Sequence, residues 1–360
     1  MSSTWGNQIK VSVFGESHGK AIGVVIDGLP SGENLDIEKI ENQMKRRKPG
    51  KSTLESSRKE EDIPNILSGV KDGKTTGTPL CATINNINAV SRDYKNIELI
   101  PRPGHADYTG YIKYNGYNDQ RGGGHFSGRL TAPLVFAGGV CSQILRRREI
   151  KIFAHIYSIG SVYDTPINPV KPQLLQESID ENFPVINRDI VDKMKDEINN
   201  ARQELDSVGG IIECCITGMP AGIGTPMFDG IENRISSMMF AIPAIKGIEF
   251  GSGFSCASMR GSEHNDAFMT VNGKVSTTTN NHGGILGGIS SGMPIIFRVA
   301  IKPTPSIPIK QKSVDMSTGE AREISVCGRH DPCIVPRAVP VVESAAAIAI
   351  ADMLREAGVI

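Results

Sequence analysis

Five short loops hold the side chains able to move protons or bind anions. Gly15-Glu16-Ser17-His18-Gly19 sets a carboxylate, a hydroxyl and an imidazole between two apolar runs, Val11 to Phe14 and Ala21 to Asp27. Glycine permits tight turns and close approach, so Ser17 and His18 can be presented together; a hairpin turn with His18 in solvent has the same pattern. Arg102-Pro103-Gly104-His105-Ala106-Asp107 puts a guanidinium and an imidazole on a stiff loop, with Asp107 near enough in sequence to orient the ring. Arg121-Gly122-Gly123-Gly124-His125-Phe126-Ser127-Gly128-Arg129 feeds an apolar helical pattern, Leu130 to Arg148, and a glycine-rich loop at a helix N-terminus suits an anion. The loop is not a Walker loop, since G-x-x-x-x-G-K-[ST] is absent, and it lacks the strand and downstream acid of a dinucleotide fingerprint. Lys302-Pro303-Thr304-Pro305-Ser306 joins a cation to two hydroxyls, which suits a phosphate, although a plain exit loop reads the same way. Gly328-Arg329-His330-Asp331-Pro332-Cys333 groups a guanidinium, an imidazole and an acid, with Arg337 just beyond.

The elements that must position these loops follow from periodicity. Strands are predicted over 11–14, 21–27, 79–84, 151–157, 210–217 and 295–301. Asp36 is a candidate N-cap for a helix carrying Ile37, Ile40 and Met44, which stops at Pro49-Gly50. Arg46, Arg47 and Lys48 close that helix, and the basic run continues with Lys51, Arg58 and Lys59, so dipole complement and anion site are both open readings. Further helices are expected over 130–148, 191–205 and 340–357, and 164–189 reads as a long connection. Helix then strand occurs twice, at 130–157 and 190–217, which hints at an internally duplicated α/β architecture.

With 360 residues, 39% of them hydrophobic and 22% charged, the chain can bury a large core, and 1–360 is read as a single domain. Lysine plus arginine (39) equals aspartate plus glutamate (39), so no bulk field favours nucleic acid or membrane, and any anionic ligand must be held by a local cluster. The seven cysteines contain no C-x-x-C pair, and adjacent Cys214 and Cys215 on a strand must point to opposite faces. Reduced, mostly buried thiols are expected, with no metal site. The start of the chain has no cationic-then-apolar leader and no apolar run reaches membrane-spanning length, so a soluble cytoplasmic protein is expected.

GESHG, RPGHAD, the GGG…SGR loop, NHGGILGGISSG, KPTPS and GRHDPC…PRAVP occur in the order and approximate spacing of chorismate synthase, and the chain resembles that family over essentially its whole length. The resemblance implies a β-α-β sandwich rather than a Rossmann fold, assembled as a homotetramer. It also implies an anti-1,4-elimination of phosphate from 5-enolpyruvylshikimate 3-phosphate to give chorismate, dependent on reduced FMN with no net redox change. Carried over by position, it implies His18 as the acid for the departing phosphate and His105 as the group handling a proton of the reduced flavin. Asp331, relayed through Ser17 and Ser127, is implied as the base. Arg47, Arg102, Arg129 and Arg337 are implied for the substrate's anionic groups. For the flavin the implied positions are His125, Phe126, Ser127, Ala244, Gly287, Lys302, Pro303, Thr304, Pro305, Ser306 and Arg329. The sequence departs from the common bacterial pattern at His125-Phe126, where Arg-Ser is frequent. It departs again at Thr53, where arginine is frequent, and at Pro243, where asparagine usually precedes the alanine. Whether NADPH reduces the flavin on this chain or an external reductase does so is left open.

The chemistry explains such an inventory. A substrate with two carboxylates and a phosphate requires several arginines gathered locally, each able to grip an oxyanion with a planar fork. The hydrogen removed has no adjacent carbonyl to acidify it, so a side-chain base alone faces a poor proton transfer, and a reduced flavin lends the missing electron density. Two other classes fit parts of the sequence. A flavin oxidoreductase would turn over NADPH stoichiometrically. A nucleic-acid or anion-binding protein using Arg46 to Lys59 would need stacking aromatics, and one Trp with 5% aromatics argues against it.

Overall fold

The computed structural model describes residues 3–50, 60–87, 99–172, 183–326 and 331–360. Among these residues the main sheets are two, each five-stranded. The first comprises β1 (Thr4–Trp5), β2 (Lys10–Gly15), β3 (Ala21–Asp27), β4 (Asn65–Ser68) and β5 (Leu80–Asn85), in the order β1-β2-β3-β5-β4. The second comprises β6 (Lys151–Ile159), β7 (Val162–Tyr163), β8 (Gly210–Thr217), β9 (Ile245–Phe250) and β10 (Ile295–Ile301), in the order β9-β10-β8-β6-β7. Every pairing in both is antiparallel.

Helices fill the space between the sheets. Helix α1 (Ile37–Arg47) begins at the predicted cap, where the Asp36 carboxylate accepts from the Lys39 amide at 3.2 Å. Its buried face is Ile40, Met44 and Arg47, four and three residues apart, so the helical period itself turns Arg47 inward. Helix α2 (Asp107–Lys113) follows the Arg102 loop. Helix α3 (Thr131–Arg146) is buried on nearly all sides because it lies against the first sheet while packing on α6 (Val335–Glu356), which covers the second sheet. The two approach closely at Gly138, where a Cβ would stand 2.2 Å from that of Ser344. Helix α4 (Val191–Gln203) buries only Met194 and Ile198, the apolar edge its sequence pattern marks, and α5 (Ile231–Met239) packs on α6.

The result is a β-α-β sandwich. Its doubling lies in the two five-stranded sheets; the paired helix-strand segments 130–157 and 190–217 instead deliver neighbouring strands of the second sheet, and only α3 of their two helices enters the middle layer. Helix α6 begins five residues earlier than the expected Pro340 start. Pro336 sits in the first turn, where its missing N–H costs nothing, and Pro340 then gives up a single bond inside the helix. Cys214 packs toward the helices, while Cys215 joins Phe153, Ile167 and Ile296 on the outer face of the sheet. Cys141 and Cys333 are also buried; Cys256 is exposed, and Cys327 lies outside the described residues.

That outer face also carries a row of charges in strand register. Glu213 pairs laterally with His155 on one side and Arg298 on the other, and Arg298 with Glu249. His155 is fully buried, with Nδ1 3.1 Å from Asp164 and Nε2 3.0 Å from Glu213; Arg298 donates to Glu213 at 2.8 Å and lies over the Tyr157 ring. Burial pushes His155 down, but its two carboxylate partners outweigh that and hold it above the ordinary histidine value. Among the described residues no helix is long and apolar enough to cross a membrane.

Candidate active site

Strands β2 and β3 pair with Gly15 opposite Ile22, so Glu16 to Lys20 form the turn of a hairpin. The turn is not left to solvent. Asn86, just past β5, donates its amide to the carbonyls of both Glu16 and Gly19 at 3.0 Å, and the Ser17 amide donates to the Gly124 carbonyl at 3.1 Å. Ser17 is consequently only 6% exposed. Glu16 faces Asp119: burial and that neighbouring acid raise its carboxyl, while Arg121 holds Asp119 ionised at about 2. The side-chain hydrogen bond between Glu16 and Asp119 ties the turn to the residues leading into the glycine loop.

Gly122, Gly123 and Gly124 all have left-handed backbone, at φ of 62°, 87° and 53°. Side chains would be strained there and would also collide. A Cβ on Gly122 would stand 2.5 Å from His18 Nε2 and 2.9 Å from Ser17 Oγ, and one on Gly123 would stand 3.0 Å from His105 Nε2. Two consecutive glycines therefore seat the two imidazoles, 87 positions apart in the chain, against one stretch of bare backbone.

His105 is oriented by its own loop. Its Nδ1 lies 2.6 Å from Asp107, and Arg102 Nη2 lies 3.3 Å from Nε2. A carboxylate can only accept, which places a proton on Nδ1; Arg102 Nη2 lies across the ring, 3.1 Å from Nδ1 as well, and is not aimed at Nε2 alone. Arg102 also donates to Asp107 through Nε at 2.7 Å and to Ser306 through Nη1 at 3.1 Å. Those bonds hold the Asp107 carboxyl well below its usual range despite burial. The 302–306 loop closes on the same place: Lys302 Nζ donates to the Gly104 carbonyl, its amide donates to Ala244 at 3.0 Å, and Pro305 packs beside Gly104. Thr304 Oγ1 is buried with no hydrogen-bond partner among the described residues.

The third group is an arginine–carboxylate cluster. Arg47 donates to Glu60 and Asp62 at 2.8 Å each, and Arg129 donates to the same Glu60 oxygen at 3.0 Å and to the other oxygen of Asp62. Arg129 also donates from Nε to Asn86 at 3.0 Å, the residue that pins the His18 turn. Arg337 donates to the Arg47 carbonyl at 2.9 Å and to the Asp331 carboxylate. The assembly can therefore offer two imidazoles for proton transfer, a hydroxyl without a partner, and four guanidiniums already held in place.

A sequence model described as chorismate synthase matches residues 9–354, nearly the whole of the sandwich just described. The chain belongs to the chorismate synthase family. Chorismate synthase of Thermococcus kodakarensis is 48% identical over 97% of this chain and 96% of its own length, and that of Pyrococcus abyssi 49% identical over the same shares. The relative from Dehalococcoides mccartyi is 42% identical over 100% of this chain and 98% of its own length. A solved structure titled Crystal Structure of Chorismate Synthase superposes with a TM-score of 0.77 at 29% identity, covering 98% of this chain and 93% of that one.

Within this chorismate synthase fold the implied residues fall into two sets. Ser17, His18, His105, Arg102 and the 302–306 loop are brought together as described, as are Arg47, Arg129, Arg337 and Asp331. Ser127 bridges sequence and site differently from a free relay, since its hydroxyl accepts from the Arg129 amide at 3.3 Å and caps the turn leading to α3. His125 uses both ring nitrogens within the protein, donating from Nδ1 to the Gly15 carbonyl at 2.9 Å and accepting at Nε2 from Ser3 at 3.1 Å. Phe126 packs on Gly110 and near Tyr114. Both departures from the bacterial pattern thus brace the loop. Pro243 is exposed, and Ala244 takes a left-handed φ of 77°. Gly287 occupies the turn of a separate hairpin, Ile285–Leu286 with Ile289–Ser290, with open space where a Cβ would be. Arg329, Thr53, Lys51, Arg58 and Lys59 lie outside the described residues. Sequence reading missed Asn86, Glu60 and Asp62; the only signal for the last two was an acidic run, Glu60-Glu61-Asp62, directly following a basic one.

Proposed function

We propose that the chain carries out its family's reaction at the cleft between His18 and His105, releasing phosphate from 5-enolpyruvylshikimate 3-phosphate to form chorismate. It is a lyase of the shikimate pathway, in aromatic amino-acid biosynthesis. The observation that carries the site assignment is the seating of His18 and His105 on adjacent glycines.

The residues present fit a reduced flavin. Thr304 offers a buried hydroxyl without a partner among the described residues, Lys302 a partly buried ammonium from the same loop, and Gly122 and Gly123 a bare backbone surface beside both imidazoles. Lys302 to Ser306 with Ala244, Ser127, Gly287 and Arg329 would hold reduced FMN, which would lend electron density to the departure of phosphate without net redox change. His18 Nε2 donates a proton to the departing phosphate oxygen, which makes phosphate a better leaving group. His105, fixed by Asp107 with a proton on Nδ1, turns Nε2 toward Gly123, where it would handle the flavin's proton. Asp331 is the base in this reading; Ser17 and Ser127 would relay its proton only if Ser127 gives up its capping bond to the Arg129 amide. Arg102, Arg129 and Arg337 meet the substrate's phosphate and carboxylates, and Arg47 supports Arg129 through the carboxylates the two share.

A cytoplasmic homotetramer suits this reading; Phe254, Phe268 and Val275 give such an assembly exposed apolar surface to bury. Anaerobic assay of phosphate and chorismate release with chemically reduced FMN tests the function. Many turnovers per flavin without NADPH are expected; stoichiometric NADPH consumption would instead indicate an oxidoreductase. Adding NADPH to oxidised FMN, with and without a flavin reductase, decides whether the chain reduces its own cofactor.

A further inference from the structure

Glu60 and Asp62 are placed where a substrate-binding cluster would ordinarily avoid negative charge. Arg47 and Arg129 lie side by side, and like charges at such separation repel unless something intervenes. Asp62, with its side chain 1% exposed, spans the two by giving one carboxylate oxygen to each guanidinium. Glu60 adds a single oxygen shared between them, at 2.8 and 3.0 Å. The remaining donors are largely taken up by fixed groups. Arg47 Nη1 reaches Thr131 at 3.3 Å, and Arg129 Nε and Nη2 reach Asn86 and the Asn85 carbonyl at 3.0 and 3.4 Å.

Two guanidiniums against two carboxylates carry no net charge, so the cluster gains no long-range attraction for a polyanion. What it gains is geometry. Arg129 loses its rotamer freedom before any ligand arrives, and that ordering cost is then absent from binding. Asp62 takes a left-handed φ of 51°, a conformation that costs a non-glycine residue energy and persists where its surroundings over-determine it. Asn86 extends the effect, since it holds Arg129 and the His18 turn with one side chain.

We propose that Glu60 and Asp62 are positioning residues, a carboxylate clamp that fixes the guanidinium of Arg129, backed by Arg47, in the orientation that meets the substrate's anionic groups. The proposal rests on the reaction assigned above. It has an opposite that the same experiment can find. If the carboxylates merely occupied the anion site, neutralising them would strengthen substrate binding; as a clamp, neutralising them weakens it.

Asp62→Asn and Glu60→Gln keep the side-chain shape and remove the charge. Under anaerobic conditions with reduced FMN, Asp62→Asn is expected to raise KM for 5-enolpyruvylshikimate 3-phosphate about ten- to a hundredfold, as loss of a charge-assisted contact does, with kcat within a few fold of wild type. Glu60→Gln, at a more open position, is expected to raise KM less, and it decides the matter if Asp62→Asn does not fold. A lower KM, or an unchanged KM with a lower melting temperature alone, would overturn the clamp. Calorimetric titration with inorganic phosphate separates this proposal from the assignment of the reaction. If the wild type makes no chorismate, that assignment falls, whereas weaker phosphate binding by both variants still supports the clamp and unchanged binding removes it.

Discussion

Gly122→Ala is the smallest change that reaches the chemistry without touching a polar group. The new Cβ would stand 2.5 Å from His18 Nε2 and Cδ2 and 2.9 Å from Ser17 Oγ, distances that real Cβ contacts do not reach. The backbone at φ 62° is also a conformation that costs alanine about 1–2 kcal/mol more than glycine. The glycine loop is braced from behind, through the Ser17 amide on the Gly124 carbonyl and His125 on the Gly15 carbonyl, so the imidazole must give way. Stability is therefore expected to fall by about 1–2 kcal/mol. If His18 is the acid for the leaving phosphate, kcat should fall much further, by about 10²- to 10⁴-fold. Flavin affinity should change little by comparison. Gly128→Ala is the internal control, because no atom lies within 4 Å of its Cβ position and its φ is not left-handed. Steady-state release of phosphate at saturating reduced FMN, alongside urea denaturation of each variant, separates the two effects. Wild-type kcat in Gly122→Ala, or an equal loss in Gly128→Ala, would refute the placement of His18 at the reacting oxygen.

Thr304→Val removes the buried hydroxyl that lacks a partner, so protein stability should hold or rise while the dissociation constant for FMN increases about tenfold, read by flavin fluorescence. Unchanged FMN affinity would show that this hydroxyl faces no ligand. His155→Ala should destabilise the second sheet by about 3–5 kcal/mol, because Glu213 and Asp164 lose their buried counter-charge. That contribution has a pH signature. His155 is raised, so its share is complete below the unfolded value near 6.5 and disappears as pH climbs through the folded value; Asp164 and Glu213 are lowered, so theirs disappears in acid, below about 4. The wild-type advantage over the variant should peak between about pH 4.5 and 6.5, and a pH-independent difference in urea midpoints would contradict the network. Asp352→Asn should cost about 3–5 kcal/mol, since Asp352 is fully buried, accepts three backbone amides and pairs with Arg234. A variant melting with the wild type would show those contacts to be dispensable.

Local signals carried much of the architecture. The strands at 210–217 and 295–301, the Asp36 cap and the apolar edge of α4 all follow from period and capping, which depend on neighbours in sequence. The site was legible as a set of loops for the same reason: glycine and proline mark where the chain must turn. Other features depend on partners far away in the chain. Nothing near Asn86 indicates that it will hold both Arg129 and the His18 turn, and nothing near Glu60 and Asp62 indicates that two arginines will converge on them. Glu16 had no visible purpose until Asp119 was placed opposite it. Helix α6 was truncated at Pro340 because the proline rule is local, whereas burial between the sheet and α3 keeps the helix going through it.

The Asp352 contacts also bear on how the molecule is made. The amides of Asn7, Gln8 and Ile9, at the entry to β2, receive their acceptor from a residue about 345 positions later. At ~5–20 residues per second, a ribosome takes about 20–70 s to travel that distance. Through that interval the β2–β3 hairpin exists without the helix that anchors its entry, and α3, with the first sheet already made, lacks α6 on its other side. The turn bearing His18 is among the first functional segments synthesised, and its own partners, Asn86 and the Gly124 carbonyl, follow well before α6. All strands of the first sheet, within residues 4–85, precede those of the second, yet the entry to β2 gains its anchor and the arginine cluster gains Arg337 only together, when α6 docks.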